Sequence, residues 1–208
     1  MKNMGLFNKF INQTRKPEGM LGNLMLNSMN KGHAKLADWG FSNLQQINVD
    51  QAVDLGCGAG RNVGELLKKY PKVTGVDYSE ASVKKSREYN QKAIREGRCE
   101  IMRGNVSALE LPSETYDLAT AFETVYFWPG LDQCFTNVAG ILKPGGLFMI
   151  VNESDGLDET GKKYETMIDG MKIYKAEELE ESLRKAGFRE VKSYHHPDKP
   201  WITITARK

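Results

Sequence analysis

The sequence predicts an α/β fold: a doubly wound, mainly parallel sheet with helices on both faces and an antiparallel hairpin at the end. Three observations carry this. From Gln51 onward, short apolar runs alternate with longer amphipathic stretches. A glycine-rich turn directly follows the first run. The last two runs are separated only by a short polar loop with Pro197 and Pro200, too short for a crossover helix. Helical stretches between β-branched or apolar runs mean crossover units. Right-handed crossovers place those helices on both sides of the sheet.

Strands are expected at Ala52–Leu55, Val73–Tyr78, Cys99–Val106, Asp117–Phe122, Leu147–Asn152, Glu190–Tyr194 and Trp201–Ala206. Helices are expected between them at Arg61–Lys69, Glu80–Glu96, Leu131–Leu142 and Ala176–Ala186. Ser79 stands as an N-cap before the second of these and Gly97 as its C-cap. Lys143-Pro144-Gly145-Gly146 stops the third helix and turns the chain into the next strand. Ahead of the sheet, Met20–Leu44 has apolar residues at Leu21, Leu24, Met25, Met29, Leu36 and Trp39, the spacing of a helix broken near Gly32 and ended at Gly40. Residues 1–45 thus read as a helical arm and 46–208 as one domain.

Bulk properties narrow the classes. The 208 residues suffice for one domain with a full core. A charged content of 27% and a net charge of +2 give no sign of a nucleic-acid partner. Only the first 37 residues are strongly basic, with six Lys/Arg against Glu18 alone; this reads as an exposed arm. The start, MKNMGLFNKFINQ, lacks the apolar run of a signal peptide, and no stretch reaches the roughly 20 apolar residues of a membrane span. Cys57, Cys99 and Cys134 show no metal-site spacing and cannot all pair, so free thiols in a reducing cytoplasm are expected. His195 and His196 begin the terminal hairpin loop, read as exposed, and have no third ligand that would make a metal site.

The chemistry concentrates at Val53-Asp54-Leu55-Gly56-Cys57-Gly58-Ala59-Gly60-Arg61-Asn62, a strand running into a turn and then a helix. Glycines let the backbone turn sharply and a ligand approach without a Cβ in the way. The following helix offers unsatisfied N–H groups. Dinucleotide enzymes carry GxGxxG, whereas here Gly56, Gly58 and Gly60 are spaced by two. Val73-Thr74-Gly75-Val76-Asp77 then places a carboxylate at the next strand end, about 20 residues past the first glycine, where a ribose-binding acid belongs. Its two oxygens can accept from the 2′ and 3′ hydroxyls of an adenosine, and Tyr78 can lie against the adenine face.

In order, VDLGCGAGRN, VTGVDYSE, GNVSALELP, YDLATAFETVYFWP and ILKPGGLFMIV resemble the successive motifs of class I S-adenosylmethionine (SAM)-dependent methyltransferases over residues 51 to 153. The resemblance implies a Rossmann-like seven-stranded sheet, its last strand antiparallel, with an N-terminal helical lid and with SAM across the C-terminal strand ends. It implies cofactor contacts from Asp54, Gly56, Cys57, Gly58, Gly60, Asn62 and Phe122, with Asp77 and Tyr78 at the ribose and adenine and Asn105-Val106 at the adenine. Many members carry Asp where Asn105 stands; its amide oxygen can still accept from the adenine amino group.

The acceptor end is expected after the fourth strand, at Phe122-Glu123-Thr124-Val125-Tyr126-Phe127-Trp128-Pro129. It lacks the Asn/Asp-Pro-Pro-Tyr pattern of enzymes that methylate nucleobases or glutamine. Glu123, Tyr126 and His33 are the candidate catalytic residues, and Tyr126, Trp128 and Met29 the candidate pocket wall. Aromatic faces there would favour a sulfonium by cation–π contact. The short polar segment Glu153–Tyr174 limits acceptor size. A small-molecule acceptor follows, with S-adenosylhomocysteine as co-product, no metal, no nucleic acid, no membrane, and a monomer or homodimer. The alternatives are methylation of a macromolecule and a non-catalytic SAM-binding sensor or partner module.

Overall fold

A computed structural model describes residues 33–208. Helix α1 (Ala34–Ser42) leads into β1 (Gln51–Leu55), α2 (Arg61–Lys69), β2 (Lys72–Asp77), α3 (Glu80–Tyr89), α4 (Gln91–Arg95), β3 (Cys99–Arg103) and β4 (Tyr116–Phe122). A 3-10 turn at Val125–Phe127 precedes α5 (Leu131–Ile141), β5 (Leu142–Asn152), α6 (Glu159–Met167), α7 (Ala176–Lys185), β6 (Arg189–His195) and β7 (Ile202–Arg207). The seven strands lie in the order β3-β2-β1-β4-β5-β7-β6. β1 to β5 pair in parallel, and β7 slots antiparallel between β5 and β6.

The period-2 alternation of the strands divides the core in two. Leu147, Met149 and Val151 of β5 face Leu36 and Phe41 of α1 and Val63 and Leu66 of α2. Phe148 and Ile150 face Phe135 and Val138 of α5 and Leu179 and Leu183 of α7. Strand order reverses between β1 and β4, so a crevice opens beyond their carboxyl ends, where ligands of open α/β sheets bind.

Several expected boundaries move, each for a local reason. The helix expected over Glu80–Glu96 breaks at Asn90, whose amide donates to the carbonyls of Gly60 and Ser86, both at 3.0 Å. The third strand ends at Arg103 because Gly104 N–H turns to the carbonyl of Asp77 (3.1 Å). The fifth begins at Leu142 rather than Leu147: it pairs with Tyr116 there, slips at Lys143–Gly146, and resumes at Leu118↔Leu147. Lys143–Gly146 is therefore an irregularity inside β5, with Gly145 at φ 78°. Gly40 does not end a helix. A Cβ there would sit 2.6 Å from Val151 Cγ2, so the glycine lets α1 lie against β5. Helix α6, unforeseen, starts at Asp158, whose carboxylate accepts from Gly161 N–H at 2.6 Å.

Candidate functional site

The glycine loop occupies the crevice. Gly56, Gly58 and Gly60 take φ of 81°, 52° and 84°, the left-handed region that other residues avoid. Gly56 and Cys57 N–H groups both donate to the Val76 carbonyl, at 2.7 and 3.0 Å, which folds the loop over β2. The three glycines differ in what they make room for. A Cβ on Gly56 would meet Thr124 Oγ1 at 2.1 Å, and one on Gly60 would meet Ser86 Oγ at 2.4 Å. A Cβ on Gly58 would meet nothing within 4 Å, so this position alone borders open space.

Two buried carboxylates stand beneath the loop. Asp77, 7% exposed, accepts Gly58 N–H through Oδ2 and Ser79 N–H through Oδ1, each at 2.9 Å. Burial pushes its pKa up and those N–H groups pull it back. The Ser82 side chain also hydrogen-bonds this carboxylate, so of its roughly four acceptor sites about one is left for an incoming hydroxyl. Asp54, 2% exposed, accepts from Thr120 Oγ1 at 2.7 Å. Burial pushes its pKa up to about 7; the Thr120 bond opposes this and the charge of Asp77 adds to it. Burial, with both carboxylates, also pushes the Cys57 thiol well above its usual range, so it stays protonated.

Beside Asp77 lies a recess of about 550 Å³ lined by Val76, Tyr78, Met102, Asn105, Leu109 and Leu111 among others. This is the size of a small-ligand site. Tyr78 and Asn105 are therefore brought together. The Asn105 amide oxygen already accepts Ser107 N–H at 3.1 Å, leaving one acceptor position. Val106 is a core residue, 7% exposed.

On the other side of the loop, a narrower cleft is lined by His33, Leu36 and Ala37 of the α1 end, Gly56–Ala59, Arg61, Asn62, Phe122 and Glu123. Arg61 pairs with Asp38 at 2.8 Å and ties α1 to the start of α2. Glu123 follows β4 at φ 56°, an unusual conformation for this residue type. Its Oε1 accepts from the hydroxyl of Tyr126 at 3.2 Å and from the backbone N–H of Glu153. Burial pushes its pKa up to about 7; His33 pulls it down and Glu153 pushes it up. His33 Nε2 stands 3.6 Å from Glu153 Oε2.

Of the expected aromatic wall, Tyr126 and Trp128 are buried. Trp128 stacks on Phe148 with centroids 6.2 Å apart and donates through Nε1 to Thr124 Oγ1 at 3.3 Å. Tyr126 is 2% exposed; its hydroxyl accepts Ser154 N–H at 3.1 Å while donating to Glu123. It braces Glu123 and does not line the cleft described above. His196 is half-buried against Trp39 and Trp201, not free in the hairpin loop. Met29, with most of the expected helix Met20–Leu44, lies outside the described residues. Sequence reasoning missed Glu153 and Thr120. Glu153 carries a legible signal, since it is the first residue past the apolar run of β5, at a carboxyl strand end.

An α/β sheet with a glycine loop and a carboxylate at the first two strand ends defines a nucleoside-cofactor enzyme. Residues 53–150 match the family model of the methyltransferase domain. Sterol 24-C-methyltransferase of Debaryomyces hansenii is 24% identical over 69% of the chain and 41% of its own length. 24-Methylenesterol C-methyltransferase 2 of Arabidopsis thaliana is 26% identical over 77% of the chain and 48% of its own length. The chain thus spans less than half of these relatives. Among solved structures, a Haloferax volcanii methyltransferase in complex with the Trm112 methyltransferase activator superposes with TM-score 0.81 at 18% identity, over 96% of this chain and 97% of that one. A SAM-dependent methyltransferase from Thermotoga maritima gives 0.70 at 20%, over 97% of both. At such identities these structures establish the fold. Residues 53–150, just under half of the chain, thus match a methyltransferase domain, and the described chain has the fold of SAM-dependent methyltransferases. Among the described residues no helix is long and apolar enough to cross a membrane.

Proposed function

We propose that the chain transfers a methyl group to a small-molecule acceptor and releases S-adenosylhomocysteine. One observation carries this reading: Asp77 and Gly58 are joined at the strand-order reversal, between the recess at Tyr78 and Asn105 and the cleft at Glu123. The residues fit SAM. Asp77 has an acceptor site for a ribose hydroxyl, the recess has room for an adenine, and open space at Gly58 admits the chain between them. Asp54 supplies a buried carboxyl acceptor for the amino-acid end.

SAM, when bound, supplies a methyl already activated by its sulfonium, and so requires no general acid. The protein's part is to orient the acceptor, keep water out and, for some acceptors, take a proton. Leu36, Ala37 and Phe122 give the cleft an apolar lining suited to excluding water. Helix α1 acts as the lid, held by the Arg61–Asp38 pair. Glu123 and His33 are the polar groups at the acceptor end, with Tyr126 bracing Glu123.

A narrow cleft supports a small acceptor, as do relatives named for sterol methylation. Three buried free thiols fit a reducing cytoplasm. The test is methyl-labelled SAM incubated with the protein and a cell metabolite extract, followed by mass spectrometry. Label in a small molecule is the expected result. Label in RNA or protein would replace it with a macromolecular acceptor, and tight SAM binding with no labelled product would indicate a sensor.

A further inference from the structure

His33 and Glu123 line the cleft, Glu153 stands beside them, and the three come from three separate elements. His33 caps α1, Glu123 is the first residue past β4, and Glu153 the first past β5. One nitrogen or oxygen of each lies within 4.8 Å of the other two, so the three groups form one polar cluster. The carboxylates are adjacent because the backbone N–H of Glu153 donates to Glu123 Oε1. Both hydrogen bonds to Glu123, from Glu153 and from Tyr126, fall on that oxygen.

We propose that His33, Glu123 and Glu153 form one proton-accepting cluster, with Glu153 as the positioning residue for His33. The acceptor is accordingly a molecule that surrenders a proton from a heteroatom: a hydroxyl, a thiol or an ammonium group. The proposal rests on the methyl-transfer reading of the cleft. It differs from the reaction named for the sterol relatives, in which carbon is methylated.

The step is simple. The acceptor's X–H bond breaks, its electron pair stays on X, and the proton passes to an imidazole nitrogen of His33. The imidazolium is stabilised by Glu153 Oε2 at 3.6 Å. His33, whose side chain is 31% exposed, then releases the proton to solvent. Among the described residues, Arg61 at the cleft is paired with Asp38, and Asp54 and Asp77 lie deeper, bonded to Thr120 and to the loop. The raised pKa of Glu123 is consistent with a cluster that holds a proton near neutrality.

Two measurements test this on the full chain. The first is the rate of label transfer into the metabolite extract across pH 6–9 for wild type, His33→Gln and Glu153→Gln. Both variants should slow transfer several-fold at neutral pH with affinity for S-adenosylhomocysteine unchanged, and Glu153→Gln should regain part of the loss at high pH. Rates and pH profiles that coincide with wild type in both variants would overturn the cluster. The second is the atom carrying the label in the methylated product. Label on oxygen, nitrogen or sulfur, with turnover unaffected by EDTA, is expected; a new C–CH₃ group, or turnover abolished by EDTA, would overturn the proposal. Calorimetry of wild type with S-adenosylhomocysteine keeps the two readings apart. Without binding, the methyl-transfer reading itself fails, whatever His33 does.

Discussion

The carboxylate of Asp77 holds the backbone N–H of Gly58 at 2.9 Å, bridging the end of β2 to the turn that leaves β1. The acid and the glycine loop are one unit, and the acid sets where the loop's open position faces. Removing the carboxylate therefore frees the loop as well as removing acceptor oxygens.

Asp77→Ala should weaken S-adenosylhomocysteine binding by more than tenfold, about 1.4 kcal/mol, in a calorimetric titration. Asp77→Asn should also weaken it, because one amide oxygen cannot accept from Gly58 and Ser79 as both carboxylate oxygens do. Equal affinity in Asp77→Ala would remove Asp77 from the cofactor site.

The glycines separate a ligand role from a packing role. Gly58→Ala places a methyl in open space at φ 52°, so it should cost roughly 1–2 kcal/mol of stability yet reduce cofactor affinity several-fold. Gly56→Ala drives the methyl into Thr124 and should lower stability by roughly 2–3 kcal/mol. Chemical denaturation and calorimetry on both variants read the difference. Unchanged affinity in a folded Gly58→Ala protein would contradict the placement of the cofactor.

Trp128 should behave as a core residue. Trp128→Ala should destabilise the fold by roughly 3–5 kcal/mol. Trp128→Phe, which keeps most of the stacking on Phe148, should leave the identity of the methylated product unchanged. A switch of product in Trp128→Phe would restore the residue to the acceptor wall.

Stability should fall as pH rises toward neutrality. Asp54 and Glu123 both have folded-state pKa values raised by burial to about 7, from 3.8 and 4.5. Each binds its proton more tightly in the folded chain, so its stabilising contribution is complete below the unfolded pKa and is lost as pH climbs through 7. The melting temperature should therefore lose this contribution from about pH 4 to pH 7 and level off above it, and Glu123→Gln should make that drop shallower. A melting curve series with the same slope in both proteins would contradict the buried, protonated Glu123.

Much of this was legible in the sequence, and the exceptions share a cause. The glycine turn and the Asp77 strand end are local patterns, and helix Arg61–Lys69 falls where its apolar spacing puts it. Gly40 looked like a helix stop because its contact, Val151, lies over a hundred residues away. Asn90 broke a helix through a bond to Gly60, again a distant partner. The segment after β4 presented aromatic residues without saying which way they turn, and packing on Phe148 decided that for Trp128. Glu153 joined the site only when β4 and β5 lay side by side.

The most direct test of the central claim is isothermal titration calorimetry of the purified chain with SAM and with S-adenosylhomocysteine. The site predicts one-to-one binding of both, with Kd in the micromolar range, roughly −7 to −9 kcal/mol. No binding of either compound at millimolar concentration by the folded protein would contradict it.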